Sequence, residues 1–430
     1  MSRSGEAIDA CTAFVGAAVA GVTLFLPVAV RARPSATSYQ VTGLLHNVPR
    51  GAALGVIVAV MVAVVITTTS RPLIGWSTAA VGSVAQLINH LAAPEVPSAD
   101  LLTTQNYLDA VCAAVVLGAL GAVVLHRSLP AAGFALGGIG FFAFGGQAQV
   151  LGTDPSLRAM SETPSRWLIC AAAALLIIST LRNRSATVEV EPSPTEGEVP
   201  LKPIFAAIVL AVFVLAATEW LGRRFSNTPG DSHLFDVGVV VLVTIVGVTA
   251  AAILLPGRDG AAAYLAVSLS AAADAVGYGP RPGWAVVVLL GLAAVGTAVG
   301  DRLPSITVAI ALIAGIAGVA VADFTFASVG GLGFAALSVA IALTAGYCCG
   351  TARPHEAPSG VLAIAALFLP TVVSVAPYKV RNWYGEDPTH SATPDTAALV
   401  IALSSAVGLF ALYRFRSREA PPLHAQPDGD

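Results

Sequence analysis

Charge is what this sequence has least of. Only 11% of its 430 residues are Asp, Glu, Lys or Arg, against roughly 25% in soluble globular domains. Lysine occurs twice, as Lys202 and Lys379, and the formal net charge is -3. No basic block appears, which argues against nucleic acid as a partner. The five cysteines (Cys11, Cys112, Cys170, Cys348, Cys349) lie in or beside apolar runs. None stands in a CxxC or Cys/His spacing, so neither a disulfide framework nor a metal site is expected. The GxxxxGK[ST] phosphate loop is missing too. Gly-rich runs such as GFALGGIGFFAFGG and SVGGLGFAAL suit close helix packing rather than nucleotide binding, and no cofactor is expected.

What the chain has is hydrophobic residues, 56% of the total. Runs of roughly 20 apolar residues cross a bilayer as helices, because only internal hydrogen bonds satisfy the backbone in lipid. Fourteen such stretches can be counted: 10–30, 50–69, 72–91, 105–126, 129–150, 164–182, 203–221, 234–255, 259–278, 283–300, 304–322, 327–349, 358–377 and 395–414. The expectation is an all-α, polytopic integral membrane protein whose surroundings are the lipid bilayer. The start of the chain carries Glu6 and Asp9 before a long apolar run, which fits a retained first helix better than a cleaved signal peptide.

Residues 183–202, NRSATVEVEPSPTEGEVPLK, interrupt this pattern with four glutamates and three prolines. Such a segment cannot bury enough apolar surface to fold alone, and it reads as a flexible cytoplasmic linker. It divides the chain into a six-helix half (1–182), a second six-helix half (203–350), two further helices (351–416) and a disordered tail (417–430), a six plus six plus two arrangement. The short connections carry one arginine each, at Arg71, Arg127, Arg258, Arg302 and Arg353. Placing them in the cytoplasm follows the positive-inside tendency and puts both termini on that side of an inner (plasma) membrane.

Two six-helix halves joined by a central loop resemble the major facilitator superfamily of transporters, extended by two helices. That family's signature is a Gly, Asp-Arg, Gly, Arg/Lys pattern between spans 2 and 3, often echoed between spans 8 and 9. Here the first of these loops reads TTTSRPLIGW, without the acid, and the second reads LLPGRDGAAAY, with Arg258, Asp259 and Gly260 in a different order. A closer match, VGDRLPS with Gly300, Asp301 and Arg302, stands one hairpin later. The resemblance implies a secondary transporter with its substrate site between the halves. Lipid-linked oligosaccharide flippases share a similar helix count.

Polar side chains inside spans cost roughly 2.5–3.5 kcal/mol each on insertion scales, so each is a candidate site residue. Gln86, Asn89 and His90 fall near the outer end of the third span, Asp109 near that of the fourth, and Gln147 and Gln149 near that of the fifth. Glu219 and Asp236 flank the next long loop, Asp274 lies inside the ninth span, and Asp323 ends the eleventh. Asp274 among small apolar residues suits proton coupling or binding of a substrate cation, and His90 suits a proton relay. Arg223 and Arg224, opposite Asp231, His233 and Asp236, could hold an anionic headgroup. Lys379 and Arg381, interleaved with Tyr378, Trp383 and Tyr384, could do the same; membrane-interface anchoring explains these residues equally.

Three functions remain open on this reading. The first is a secondary transporter or exporter of a small molecule or a lipid-linked envelope component. The second is an envelope glycosyltransferase using a polyprenyl-linked donor, which ordinarily needs an acid in the first outer loop; residues 31–50 contain none. The third is a scaffold subunit without chemistry.

Overall fold

The computed structural model describes residues 3–25, 28–30, 38–69, 71–92, 99–140, 143, 160–162, 164–185, 200–227, 234–256, 259–277, 281–325, 330–375 and 393–419. Its helices in chain order are α1 (Arg3–Phe25), α2 (Ser38–Thr68), α3 (Pro72–Ala92), α4 (Ala99–Val124), α5 (Ser128–Ile139), α6 (Arg166–Arg182), α7 (Leu201–Asn227) and α8 (Leu234–Leu254). They continue with α9 (Asp259–Val276), α10 (Gly283–Arg302), α11 (Ile306–Thr325), α12 (Gly330–Thr351), α13 (Ala357–Ala366), α14 (Val372–Val375) and α15 (Thr393–Glu419). Among the described residues, eight helices are long and apolar enough to cross a membrane: α1, α2, α4, α7, α8, α10, α12 and α15. The chain is therefore a multi-pass, helical membrane protein. Most of the linker, residues 186–199, lies outside the described residues.

Three local features differ from the sequence expectation. Helix α2 begins at Ser38, inside the stretch read as an outer loop, and carries Pro49 within it. Proline there withholds one amide without ending the helix. The thirteenth apolar stretch is not one helix: α13 stops at Ala366, and the chain resumes as α14 only after Pro370. The pyrrolidine ring has no N–H to continue the ladder, so the break is written in the sequence. Finally, Val28–Val30 (β1) pairs antiparallel with Met160–Glu162 (β2), with Ala29 opposite Ser161. This ribbon takes the end of the first apolar stretch, expected to be helical to residue 30, and pairs it with the connection before α6.

Packing among the first six helices follows a definite pattern. Helix α1 packs on α4, α5 and α6, α2 on α4, and α3 on α4 and α6. The same pattern returns after α8. Helix α9 packs on α12, α13 and α15, α10 on α12, and α11 on α12 and α15. Helices α9 to α15, with α13 and α14 as one broken segment, thus repeat the pairings of α1 to α6 in order. Between the two sets stands the hairpin α7–α8, which packs on α2 from the first set and on α9, α14 and α15 from the second. The sets also meet directly, through α2 and α4 against α13, and through α5 against α10, α12 and α13.

The tightest crossing is α10 on α12. Gly296 and Gly300 on α10 face Gly346 and Gly350 on α12, each pair spaced by four. Glycines at this spacing remove the side chains that would hold two backbones apart. At the centre of the second set, every residue of α9 is buried, from Asp259 to Val276. A helix rich in alanine, with its few polar residues hydrogen-bonded to neighbours at Asp259, Ser270 and Asp274, suits a position enclosed by other helices.

Candidate functional site

A cavity of about 460 Å³ opens at the seam where α5 meets α10, α12 and α13. That volume lies within the 300–1,000 Å³ of ordinary small-molecule sites. Its walls are apolar: Leu136 of α5, Leu265 and Leu269 of α9, Ala298 of α10 and Ile364 of α13. Helix α12 adds the free thiols Cys348 and Cys349. The hydroxyl of Thr297 also faces this region but donates to the Ala293 carbonyl at 2.9 Å, so it offers little polarity to a guest.

Charge appears only at the mouth. Arg353 Nη1 lies 3.2 Å from Asp301 Oδ1, and Arg353 Nη2 donates to the Ser128 carbonyl at 3.2 Å. One guanidinium thereby connects the end of α10 to the first residue of α5, across the seam. Its side chain and that of Asp301 are 41% and 58% exposed, so the pair contributes less than about 1 kcal/mol. The tie biases the seam without locking it.

Nearby connections at this end of the molecule are held more firmly. Asp259, buried, accepts the backbone N–H groups of His355 at 2.9 Å and Glu356 at 3.3 Å, fixing the start of α13. Burial and the Asp259 carboxylate together raise the pKa of Glu356, with Lys202 opposing them. His126, between α4 and α5, has its pKa lowered by burial and by Arg127. Asp9 of α1 is fully buried, 2.6 Å from Arg127 Nη1 and 2.5 Å from Arg182 Nη2, and it accepts the Asn183 amide at 3.3 Å.

The acids singled out from the sequence lie elsewhere. His90 Nε2 of α3 stands 3.1 Å from Asp109 Oδ2 of α4, and Asn89 donates to the other carboxylate oxygen at 2.9 Å. This polar contact between α3 and α4 is buried. Glu219 of α7 is gripped by both Nε and Nη2 of Arg50 on α2, the latter at 3.0 Å, and Arg223 lies 3.6 Å away. Arg224 stacks over Trp220 with 5.3 Å to the ring centroid. Asp236 is half-buried in the first turn of α8. Asp274 of α9 is buried and accepts the Thr371 hydroxyl beside the α13–α14 break. The side chains of Asp323, Lys379, Arg381, Asp231 and His233 fall outside the described residues.

The candidates among the described residues do not converge on the cavity. They form separate local groups toward the other ends of their helices, away from the Asp301–Arg353 mouth. Sequence reasoning misses Asp9, Arg50 and Thr371, the residues that organise or complete these groups. Asp9 has a signal: an acid just before the first apolar stretch, at the membrane side where the positive-inside reading also places Arg127 and Arg182. Arg50 and Thr371 carry none, because their partners lie 169 and 97 residues away.

No family model matches the chain, and no curated protein matches it. Among solved structures, the nucleoside transporter NupG aligns over 96% of this chain and 99% of its own, at 13% identity and a TM-score of 0.32. That similarity is too low to establish a common fold.

Proposed function

We propose that the chain is a secondary transporter of an apolar or amphipathic small molecule, working from two six-helix bundles. The first bundle is α1–α6 and the second α9–α15, with the α7–α8 hairpin inserted between them. This six plus two plus six division takes the place of the six plus six plus two expected from hydropathy. It counts fourteen crossings, with α13 and α14 forming one, and puts both termini on the cytoplasmic face of the inner membrane.

The observation that carries the proposal is the recurrence of helix pairings. Two bundles of like packing that meet along a seam containing a cavity are the construction of transporters built from repeats, where substrate sits between the repeats and access alternates as they rock. The recurrence also accounts for the motif offset. With the hairpin set aside, Gly300, Asp301 and Arg302 close α10 at its connection to α11, which becomes the counterpart of the α2–α3 connection, where the major facilitator resemblance expects the motif.

Substrate class follows from the walls. Among the described residues, the cavity carries no charged group beyond its mouth and so offers no partner to an ion, whereas burying an apolar guest returns about 25 cal/mol per Å². The seam at α5 and α10 has no hairpin helix packed on it among the described residues, while the corresponding seam at α2 and α13 is covered by α7. A guest arriving from the bilayer would therefore enter beside α5 and α10.

The test is uptake by proteoliposomes of a panel of apolar and amphipathic fluorescent dyes under an imposed ion gradient. The reading expects at least one dye to move faster than in protein-free vesicles, and Ala132→Phe, which fills the α5 wall, to abolish the movement. Dye movement equal to protein-free vesicles across the panel, or undiminished in Ala132→Phe, would overturn it.

A further inference from the structure

The break between α13 and α14 encloses a second, much smaller cavity, about 10 Å³, roughly the room of one water molecule or one bare ion. It lies where α7, α8, α9, α13, α14 and α15 come together, and three hydroxyl residues face it: Thr244 of α8, Ser270 of α9 and Thr371 at the break. The inserted hairpin thus supplies one wall and one of the three oxygens.

The hydrogen bonds leave these oxygens with lone pairs to give. Ser270 donates to the Leu367 carbonyl at 3.1 Å, which uses its proton and neither lone pair. Thr371 donates to Asp274 and accepts the Ser374 N–H at 3.2 Å, which leaves one lone pair. Thr244 is the telling residue. Thr218, Thr249 and Thr297 each donate to the carbonyl four residues back. The Thr244 hydroxyl has no partner among the described residues, although Thr244 is only 5% exposed. A buried hydroxyl left without a partner is costly, and here it lines the cavity.

We infer that this cavity is a site for one desolvated monovalent cation, Na⁺ by size, coordinated by Thr244, Ser270 and Thr371 and neutralised by Asp274. Hard oxygen donors exclude a soft metal. A single carboxylate, reaching the site through the Thr371 hydroxyl, balances one positive charge rather than two. Transporters built on broken membrane helices likewise hold coupling ions beside the break. The inference rests on the transporter reading and deepens it by naming the coupling ion, and it gives the α7–α8 hairpin a part in ion binding.

The test needs no transported substrate. Purified protein in detergent is melted in NaCl, KCl and choline chloride at equal ionic strength, and ²²Na⁺ binding is measured by scintillation proximity. The inference expects saturable ²²Na⁺ binding and a melting temperature raised by Na⁺ alone. Thr244→Val is isosteric and removes no hydrogen bond among the described residues, so it should fold normally yet bind Na⁺ about tenfold or more weakly. Asp274→Asn should bind none. Equal melting in all three salts, showing that the cavity holds only water, would overturn the inference. So would Na⁺ binding unchanged in Thr244→Val. If Na⁺ binds as expected while no dye moves, the ion site stands and the transport reading falls. If dye moves while no Na⁺ binds, transport stands and the ion site falls.

Discussion

A β-carbon added to Gly346 of α12 would stand 1.9 Å from the Ala293 carbonyl oxygen of α10. No real β-carbon comes so near, and the obstacle is backbone rather than a side chain that could swing aside. Gly346→Ala is therefore expected to push α10 and α12 apart and destabilise the second bundle by about 1–3 kcal/mol or more. Gly291→Ala on α10, where an added β-carbon meets nothing within 4 Å, serves as the control. Thermal unfolding of the two variants in the same detergent checks the difference.

Asp9 concentrates the other large local effect. It is fully buried between Arg127, Arg182 and Asn183, so its removal leaves two guanidinium groups facing each other without a counter-charge. Breaking a buried ion pair costs about 3–5 kcal/mol. Arg127 and Arg182 retain 16% and 27% side-chain exposure, which places Asp9→Asn toward the lower end, about 3 kcal/mol. The melting temperature of that variant should fall well below that of Glu6→Gln, a change three residues away.

The connection before α13 should respond to pH. Burial and Asp259 hold the folded pKa of Glu356 above its ordinary value of 4.5. A carboxyl shifted upward favours the folded state while protonated, so its contribution is complete below pH 4.5 and is lost as pH rises through the folded pKa. Glu356→Gln should match the parent protein in acid and melt higher than it at neutral pH. His126 acts in the opposite sense. Its pKa is lowered from 6.5, so its contribution is present above pH 6.5 and lost as pH falls through the folded value. His126→Gln should flatten that loss. Melting curves between about pH 4 and 8 separate the two.

His90 and Asp109 form a cross-helix contact rather than part of the large cavity. Their 3.1 Å approach, with Asn89 on the second oxygen, ties α3 to α4 in a buried setting. Asp109→Leu should lower the melting temperature while leaving dye movement per folded molecule unchanged. Loss of movement in a variant that melts normally would instead put this pair in the transport cycle.

Much of this architecture is legible in the sequence, for one reason. Lipid requires long apolar helices, so hydropathy alone locates the elements, and every stretch read as a span carries helix. Partner choice is not legible in the same way. Hydropathy marks α7 and α8 as two more spans and says nothing about their standing between two bundles, so counting spans in order leaves the extra pair at the end of the chain. Gly296, Gly300, Gly346 and Gly350 do announce a close crossing, but not which helix each pair meets. Pro370 announces a break that an averaged apolar window smooths over.

Single residues show the same limit. Asp274 stands out because a carboxylate among alanines is conspicuous, whereas Thr371 and Thr244 look like ordinary hydroxyls until the fold puts both against one cavity. Glu219 is conspicuous as well, yet its meaning changes once Arg50, far away in sequence, is seen to hold it with two nitrogens. The apolar cavity has no signature at all: leucine and alanine look the same on a wall as in a core.

Rocking of the two bundles across the α5–α10 seam is the central claim, and pulsed electron spin resonance between labels at Leu129 and Leu303 measures it directly. Both positions are exposed, at 47% and 70%, and they flank the cavity mouth from opposite bundles. In reconstituted protein, two distances are expected, with Arg353→Gln shifting population toward the longer by up to about fivefold, the worth of one exposed ion pair. One narrow distance, unchanged by pH, by Na⁺ and by Arg353→Gln, would contradict alternating access and leave the molecule a rigid membrane body.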